Sequence, residues 1–556
     1  MDPLLLARGA AAAAYRRIEQ EWFGTPLHLA TLGGKRGHGL VAHPHDLRPA
    51  SPETGRQILE GIFQFGGSPM RIGPDGDPFD RPSPSRAFAT ELHGFGWLRD
   101  LLVLGEQGVR PGVRLFMDWR RLFGAWNAFS WSPEVLERRV FNLACAAKTL
   151  AMEASDAEIA ALEDDLARQA RHLLAVSEDP GRAVERAIAA GVAGCALGGP
   201  AGERLINQAL GRLRRRLPKA VLADGGHASR SPQRGLELLL DLLTLEDALS
   251  QRGREPPPEM TRAIDRLGAA VRFFTLPDGR LADLQGGEAV DGATIAAALA
   301  HEEARKAPQR LAVSGYHRLR GGQIEVLVDA GAPAKGAWSL TACAQPLGLE
   351  LVFGRERLIV GSGWTPGFPA QLRLTGAGSC AVVGDLPCGE VLEGAAAEGL
   401  GPRLVDGPGK VGARREDGDG AALLMASHDG WLRRLGLMHH RTFFMNTQTG
   451  ELRGEDRFEP PKPKEADGPR RYVPFSIHFQ LAPEVRASLA QDGKTVILRG
   501  PTKALWLRND AAEVTIEPSQ HVSGGELKRS SQVVLRGQVR HDKGGRVRWK
   551  LSASET

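Results

Sequence analysis

At 556 residues the chain is too long for one ordinary hydrophobic core, so two large domains, or a helical array with an appended sheet domain, are expected. Lys and Arg number 71 against 66 Asp and Glu, and the resulting formal charge of +5 is too mild for a nucleic-acid binder, though it suits an anionic ligand held in a local cleft. The five cysteines (Cys145, Cys195, Cys343, Cys380 and Cys388) have neither paired spacing nor the density of a disulfide scaffold and read as small buried fillers.

The chain opens with Leu4-Leu5-Leu6, then Arg8, an alanine run and Arg16-Arg17, which interrupts the apolar core of a secretory signal and predicts a short amphipathic helix. No apolar run of about 20 residues follows, so no membrane span is predicted. Trp126 and Trp131 flank Phe129 in a polar connection; such rings stack on sugar faces, and they equally pack helix junctions. Ser132-Pro133-Glu134 then starts a helix with Val135, Leu136, Val140, Phe141, Leu143, Ala144 and Ala147 on its apolar side. Ser155 and Glu158 have capping-box spacing ahead of the stripe Ile159, Leu162, Leu166, Ala170 and Leu173. Further helices are predicted over 182–197, 202–217, 232–250 and 258–274, the second with Arg212 to Arg216 as a solvated basic face; no strand is needed before residue 305. Between two of these helices lies the loop Asp224-Gly-Gly-His-Ala-Ser-Arg-Ser-Pro232. There Ser231 can cap the next helix, Pro232 fits its first position, and the free N–H groups favour an anion beside His227, Arg230 and Arg234.

After Ala307 the hydrophobic period changes to two. Phe475, Ile477, Phe479 and Leu481 alternate with Ser476, His478 and Gln480, and Val547, Trp549 and Leu551 alternate with Arg546, Arg548 and Lys550. Asp492-Gly493 is a hairpin turn signal, and strands without intervening helices imply an antiparallel β-sandwich. In His439-His440-Arg441, alternation sets His439 and Arg441 on one face and His440 on the other; with His428 and Asp429 the cluster is a candidate ligand contact. The expected division, near Lys306-Ala307-Pro308, is a helical domain over 1–307 and a sandwich domain over 308–556.

The loop around His227, with Ser314-Gly315-Tyr316, Leu349-Glu350-Leu351, Gly354-Arg355, Leu358-Ile359-Val360, His428-Asp429-Gly430 and His440-Arg441, resembles the heparinase II/III-like family in the same order along the chain. The resemblance implies an incomplete α/α toroid followed by an antiparallel β-sandwich, and a polysaccharide lyase that cleaves an acidic, uronic-acid polysaccharide by β-elimination. It also implies a cell-envelope or periplasmic location, whereas the lack of a visible signal peptide reads as cytoplasmic.

Such an elimination needs a group to neutralise the uronate, a base for the C5 proton and an acid for the leaving oxygen. Active members of the family are expected to use an Asn-His pair on a toroid helix, a Tyr after the Ser-Pro of the loop, and histidines that assist or bind a structural zinc. Here Arg182-Ala183 stands for Asn-His, and Arg234 follows Gln233 where the Tyr belongs. In the sheet region, Thr341-Ala342-Cys343-Ala344-Gln345 occupies the usual His-x-His-Ala-Asp, and Gly361 and Gly378 replace further ligands, so no metal and no cofactor are expected. Of the three tyrosines (Tyr15, Tyr316, Tyr472) only Tyr316 lies near a family motif, and its neighbour His317 points to the opposite face of a strand.

The candidate catalytic set is therefore His227, Arg234 and Tyr316, with Arg182, Arg230, Trp126, Trp131, His428, His440 and Arg441 as candidate substrate contacts. An arginine is a poor base because it stays protonated. Two functions consequently stand side by side: a lyase, and an inactive relative that binds an anionic glycan.

Overall fold

The computed structural model describes residues 3–33, 39–177, 179–300, 307–462 and 471–553; Lys306, at the expected domain boundary, lies outside them. The chain forms two compact units. One comprises Met1–Val221, Leu236–Asp265 and Ala296–Glu302, the other Leu222–Gly235, Arg266–Ile295 and Glu303–Thr556.

The first unit is built of helices. Pro3–Phe23 is the N-terminal helix, and Asp156–Ala175 begins with the capping box foreseen at Ser155 and Glu158, both reciprocal bonds being present. Ala183–Ala196 is buried along its whole length, because small residues let its neighbours close in on every side. A Cβ on Gly194 would stand 2.8 Å from the Leu205 side chain and 2.9 Å from the Ile206 nitrogen, so glycine sets the approach to the helix Gly199–Ala220. One expectation fails in this region: Ile62–Phe65 and Ser68–Arg71 form an antiparallel hairpin. Gly66 and Gly67, with φ of 52° and 71°, supply the two left-handed residues that a tight two-residue turn requires.

The second unit is mainly two antiparallel sheets. In the eight-stranded sheet the order is Val411–Gly418, Ala421–His428, Met438–Asn446, Leu452–Glu459, Gly545–Ala553, Ala504–Asn509, Val496–Arg499 and Arg486–Leu489. In the nine-stranded sheet it is Glu513–Ser523, Glu526–Arg540, Tyr472–Leu481, Glu356–Val360, Leu349–Phe353, Ile324–Asp329, Tyr316–Gly321 and Arg310–Leu311, with Ala381–Val383 also paired to Tyr472–Leu481. Inward residues of both sheets, among them Phe443, Phe458, Phe479, Leu535 and Trp549, share one apolar core, which makes the unit a sandwich. Asp492-Gly493 turns the hairpin between Arg486–Leu489 and Val496–Arg499, with Gly493 at φ 66° and Asp492 Oδ1 accepting from the nitrogens of Lys494 and Thr495.

Candidate functional site

The loop at 224–231 belongs to the sheet-containing unit and is held by its own polar groups. Asp224 accepts from the Ser314 nitrogen at 2.7 Å and from the Ser314 hydroxyl at 2.8 Å, which ties the loop to the start of the first long strand. Gly225, at φ 89°, passes so close to Arg266 that a Cβ would lie 2.0 Å from its carbonyl oxygen; only glycine fits. His227 is buried, its Nδ1 accepts from the Ser229 nitrogen at 3.2 Å, and its ring stands edge-on to Trp338.

Arg230 occupies the left-handed region at φ 66°, and this turns its guanidinium inward. There Nη2 pairs with Asp329, Nε donates to the Ser314 carbonyl at 2.8 Å and Nη1 to the Gly331 carbonyl at 3.2 Å. Gln285 Nε2 donates to the other Asp329 oxygen at 2.7 Å. Tyr316 is wholly buried beneath this knot; its hydroxyl donates to the Arg230 carbonyl at 2.7 Å, and the guanidinium carbon lies 4.7 Å from its ring centre. Burial pushes the Tyr316 phenol well above its ordinary pKa, so it holds its proton and is a donor rather than a base. Ser231 Oγ accepts from the Arg234 nitrogen at 3.4 Å, the cap anticipated for the helix Pro232–Gln251, and Arg234 itself is half-buried.

A second polar knot lies inside the sandwich. The Gly430 nitrogen donates to His428 Nδ1 at 3.1 Å, which leaves His428 Nε2–H to donate to His439 Nδ1 at 3.0 Å and His439 Nε2–H to donate to Asp456 Oδ1 at 2.8 Å. Arg441 Nε pairs with the same oxygen at 3.1 Å, and Trp549 Nε1 donates to Asp456 Oδ2 at 2.8 Å. All these side chains are sealed from solvent. Burial, ahead of every other cause, lowers the pKa of His428 and His439 and keeps them neutral, whereas Arg441 and His439 together outweigh burial and hold the Asp456 carboxyl below its ordinary range.

A family model described as "Heparinase II/III-like, C-terminal" matches residues 303–550. The "FtsZ-localized protein C" of Caulobacter vibrioides (strain NA1000 / CB15N) is 52% identical over 99% of this chain and 96% of its own length. This chain belongs to the heparinase II/III-like family. Solved structures share its fold at low identity. Heparinase III has a TM-score of 0.71 at 13% identity, covering 100% of this chain and 94% of that one, and heparan sulfate lyase HepC from Pedobacter heparinus has 0.57 at 16%, covering 99% and 89%. The architecture is accordingly the toroid-plus-sandwich of these heparinases, helices first and antiparallel sheets after.

Against that fold, this heparinase II/III-like chain departs from several of its expected contacts. Arg182, Arg230 and Arg441 do not present free guanidinium groups. Arg182 is paired with the buried Glu137, Arg230 with Asp329 and Arg441 with Asp456, since a cation taken out of water must be matched locally. Trp131 is no open platform either. It is buried, donates Nε1–H to the Phe123 carbonyl at 3.0 Å and stands edge-on to His172. His428 is inside with the second knot, while His440 is half-exposed on the other face with Nε2 3.5 Å from Glu459, and Trp126 is half-buried. The loop thus gathers His227, Arg230 and Tyr316, whereas His428 and Arg441 belong to the separate knot. Asp329 and Asp456, which organise these two groups, were not among the sequence candidates; the available signal was an acid on the inward phase of an apolar strand, Asp456 between Leu452 and Phe458.

Three of the positions that the resemblance gives for zinc ligands, Gln345, Gly361 and Gly378, line one enclosed void of about 10 Å³ in this structure, with Gln285 and Asp329 on its wall. They do not fit a metal. Gln345 donates its amide to the Leu372 and Leu374 carbonyls, a Cβ on Gly378 would stand 2.8 Å from Gln345 Cγ, and burial pushes the Cys343 thiol up to about 11. Among the described residues, no group of three or more His, Cys, Asp or Glu could hold an ion.

Tyr316→Phe tests the framework role of the tyrosine. Removing one buried hydroxyl donor should cost about 1 kcal/mol in denaturant unfolding, with the fold unchanged by circular dichroism. A neutral result would mean that the hydroxyl holds nothing in place.

Proposed function

We propose that this chain is a catalytically silent member of its family that localises to FtsZ, as the name of its Caulobacter relative states of that protein. The observation that carries the reading is the burial of Tyr316 under Arg230: the phenol keeps its proton and donates a hydrogen bond to the Arg230 carbonyl, so the one tyrosine beside the loop is no base. The lyase reading would need Arg234 or His227 to abstract the C5 proton. A guanidinium does not deprotonate near neutrality, and His227 lies buried with Nδ1 already accepting from Ser229. A cytoplasmic location accompanies this proposal, and the five free thiols suit a reducing compartment. Among the described residues no helix is long and apolar enough to cross a membrane.

A second reading, binding of an anionic polysaccharide without cleavage, is favoured by one surface. A groove of about 530 Å³ on the eight-stranded sheet is lined by Arg453, Arg508, Arg548 and Lys550, with Glu455 and Asp510 among them. An excess of cations on an open sheet face suits a polyanion and predicts salt-sensitive binding.

One set of measurements separates these functions. A fluorescently tagged chain should redistribute when FtsZ is depleted, and incubation with acidic polysaccharides should give no unsaturated-uronate absorbance. Absorbance that depends on His227 or Arg234 would establish the lyase instead, and a distribution indifferent to FtsZ would sink the first proposal. Retention on heparin that is lost in the double variant Arg548→Glu/Lys550→Glu would establish the second.

A further inference from the structure

A groove of about 720 Å³ in the sheet-containing unit is lined by amides and hydroxyls, and Arg529 is the one charged residue of its lining. Its volume falls in the range of small-molecule sites. We propose that it binds a neutral oligosaccharide.

The reason is how its polar groups are already committed. Gln480, only 2% exposed, donates Nε2–H to the Gly376 carbonyl at 2.9 Å and to Gln532 Oε1 at 2.8 Å, and its own oxygen accepts from Ser519 Oγ at 2.5 Å. Gln532 Oε1 also lies 2.9 Å from His478 Nδ1, whose Nε2 is 2.9 Å from Ser476 Oγ. With its oxygen occupied by two donors, Gln532 is left with its NH2 to present. The hydroxyls are committed the opposite way. Ser519 donates to Gln480, Ser530 to the Leu481 carbonyl at 2.5 Å and Ser362 to the Ala377 carbonyl at 2.6 Å, so each of these oxygens is left to accept.

The lining therefore combines fixed acceptors with an amide donor. Sugar hydroxyls, each both donor and acceptor, match such a surface, and Leu372 and Pro518 offer apolar contact for C–H faces. A densely sulfated or carboxylated chain does not match, because its oxyanions only accept and would face the oxygens of Ser519 and Ser530. An extended peptide is disfavoured on another ground. Glu513–Ser523 is the edge strand, and Pro518 interrupts its row of N–H groups, which blunts the addition of a further strand.

The test uses the full chain with cellohexaose, maltohexaose and chitohexaose as neutral probes and heparin as the anionic comparator, read by saturation-transfer NMR and calorimetry. At least one neutral hexasaccharide should bind saturably. Gln532→Leu should weaken it about tenfold, the scale of a lost hydrogen bond to a hydroxyl. The more peripheral pair Ser530→Ala and Gln520→Ala should also weaken it at an unchanged melting temperature, which separates loss of contact from loss of fold. Arg529→Gln should leave the affinity for neutral sugars within about twofold. Absence of binding by all three neutral probes would overturn the proposal. So would heparin binding that is lost in the Ser530→Ala or Arg529→Gln variants, or selection from a peptide library of a sequence that requires Gln532. None of these outcomes depends on FtsZ or on the basic groove.

Discussion

Asp456→Ala should destabilise the sheet-containing unit by about 3–5 kcal/mol, the scale for removing one partner of a buried ion pair. The carboxylate is the single acceptor on which Arg441, His439 and Trp549 converge, and none of the three has a route to water. Without it the Arg441 guanidinium stays buried with only the Leu347 and Ser379 carbonyls as acceptors, at 2.9 and 3.0 Å, and its charge is unmatched. Asp456→Asn keeps the shape and one oxygen but not the charge, so it should fall between wild type and alanine. The measurement is urea unfolding of the full chain followed by tryptophan fluorescence, with Arg441→Met as the second arm of a double-mutant cycle. If Asp456→Ala and Arg441→Met are coupled, the double variant should cost clearly less than the sum of the singles. Strict additivity would mean that the pair does not act as a unit.

That knot also shows what could be read from the chain alone. Alternation was enough to place His439 and Arg441 on one face, because a strand's period is two whatever its neighbours are, and the structure has both inside. Which residue answers Arg441 depends on the register that sets it opposite Asp456, and register is a tertiary property. The inward pairing of Arg230 was hidden from the sequence for a related reason. The helix start at Ser231-Pro232 was legible, but the left-handed φ of Arg230 and an acid 99 residues away in sequence were not. The hairpin at 62–71 went unseen although Gly66-Gly67 was its signal, because Ile62, Phe63 and Phe65 do not alternate cleanly. The saccharide groove had no motif to find: Gln480, Ser519 and Gln532 come from three strands brought together only by the sheet order.

Acidification should destabilise the chain well above the pH at which most carboxylates titrate. Burial holds His93 and His172 down to about 3 and His317 to about 4, against 6.5 for an exposed imidazole. For a base lowered in the folded state, the unfolded chain takes up a proton below about pH 6.5 while the folded chain does not. The stability is therefore fully present above that pH and is lost as pH falls toward the folded value. Each such histidine contributes a slope of about 1.4 kcal/mol per pH unit. Glu350 works in the opposite direction: burial, reinforced by Asp283, keeps its carboxyl protonated well above 4.5, so the folded chain holds a proton there that the unfolded chain has released. That offsets part of the histidine slope, and the remainder should show as a net fall in stability between roughly pH 6 and 4.5. Denaturant unfolding across this range should show the fall directly. In His93→Gln, which keeps an acceptor for Trp119 Nε1, now 3.1 Å from His93 Nδ1, the slope should drop by about one proton's worth. A stability that is flat from pH 6.5 to 4.5, or a slope untouched by His93→Gln, would show that these imidazoles accept protons without unfolding.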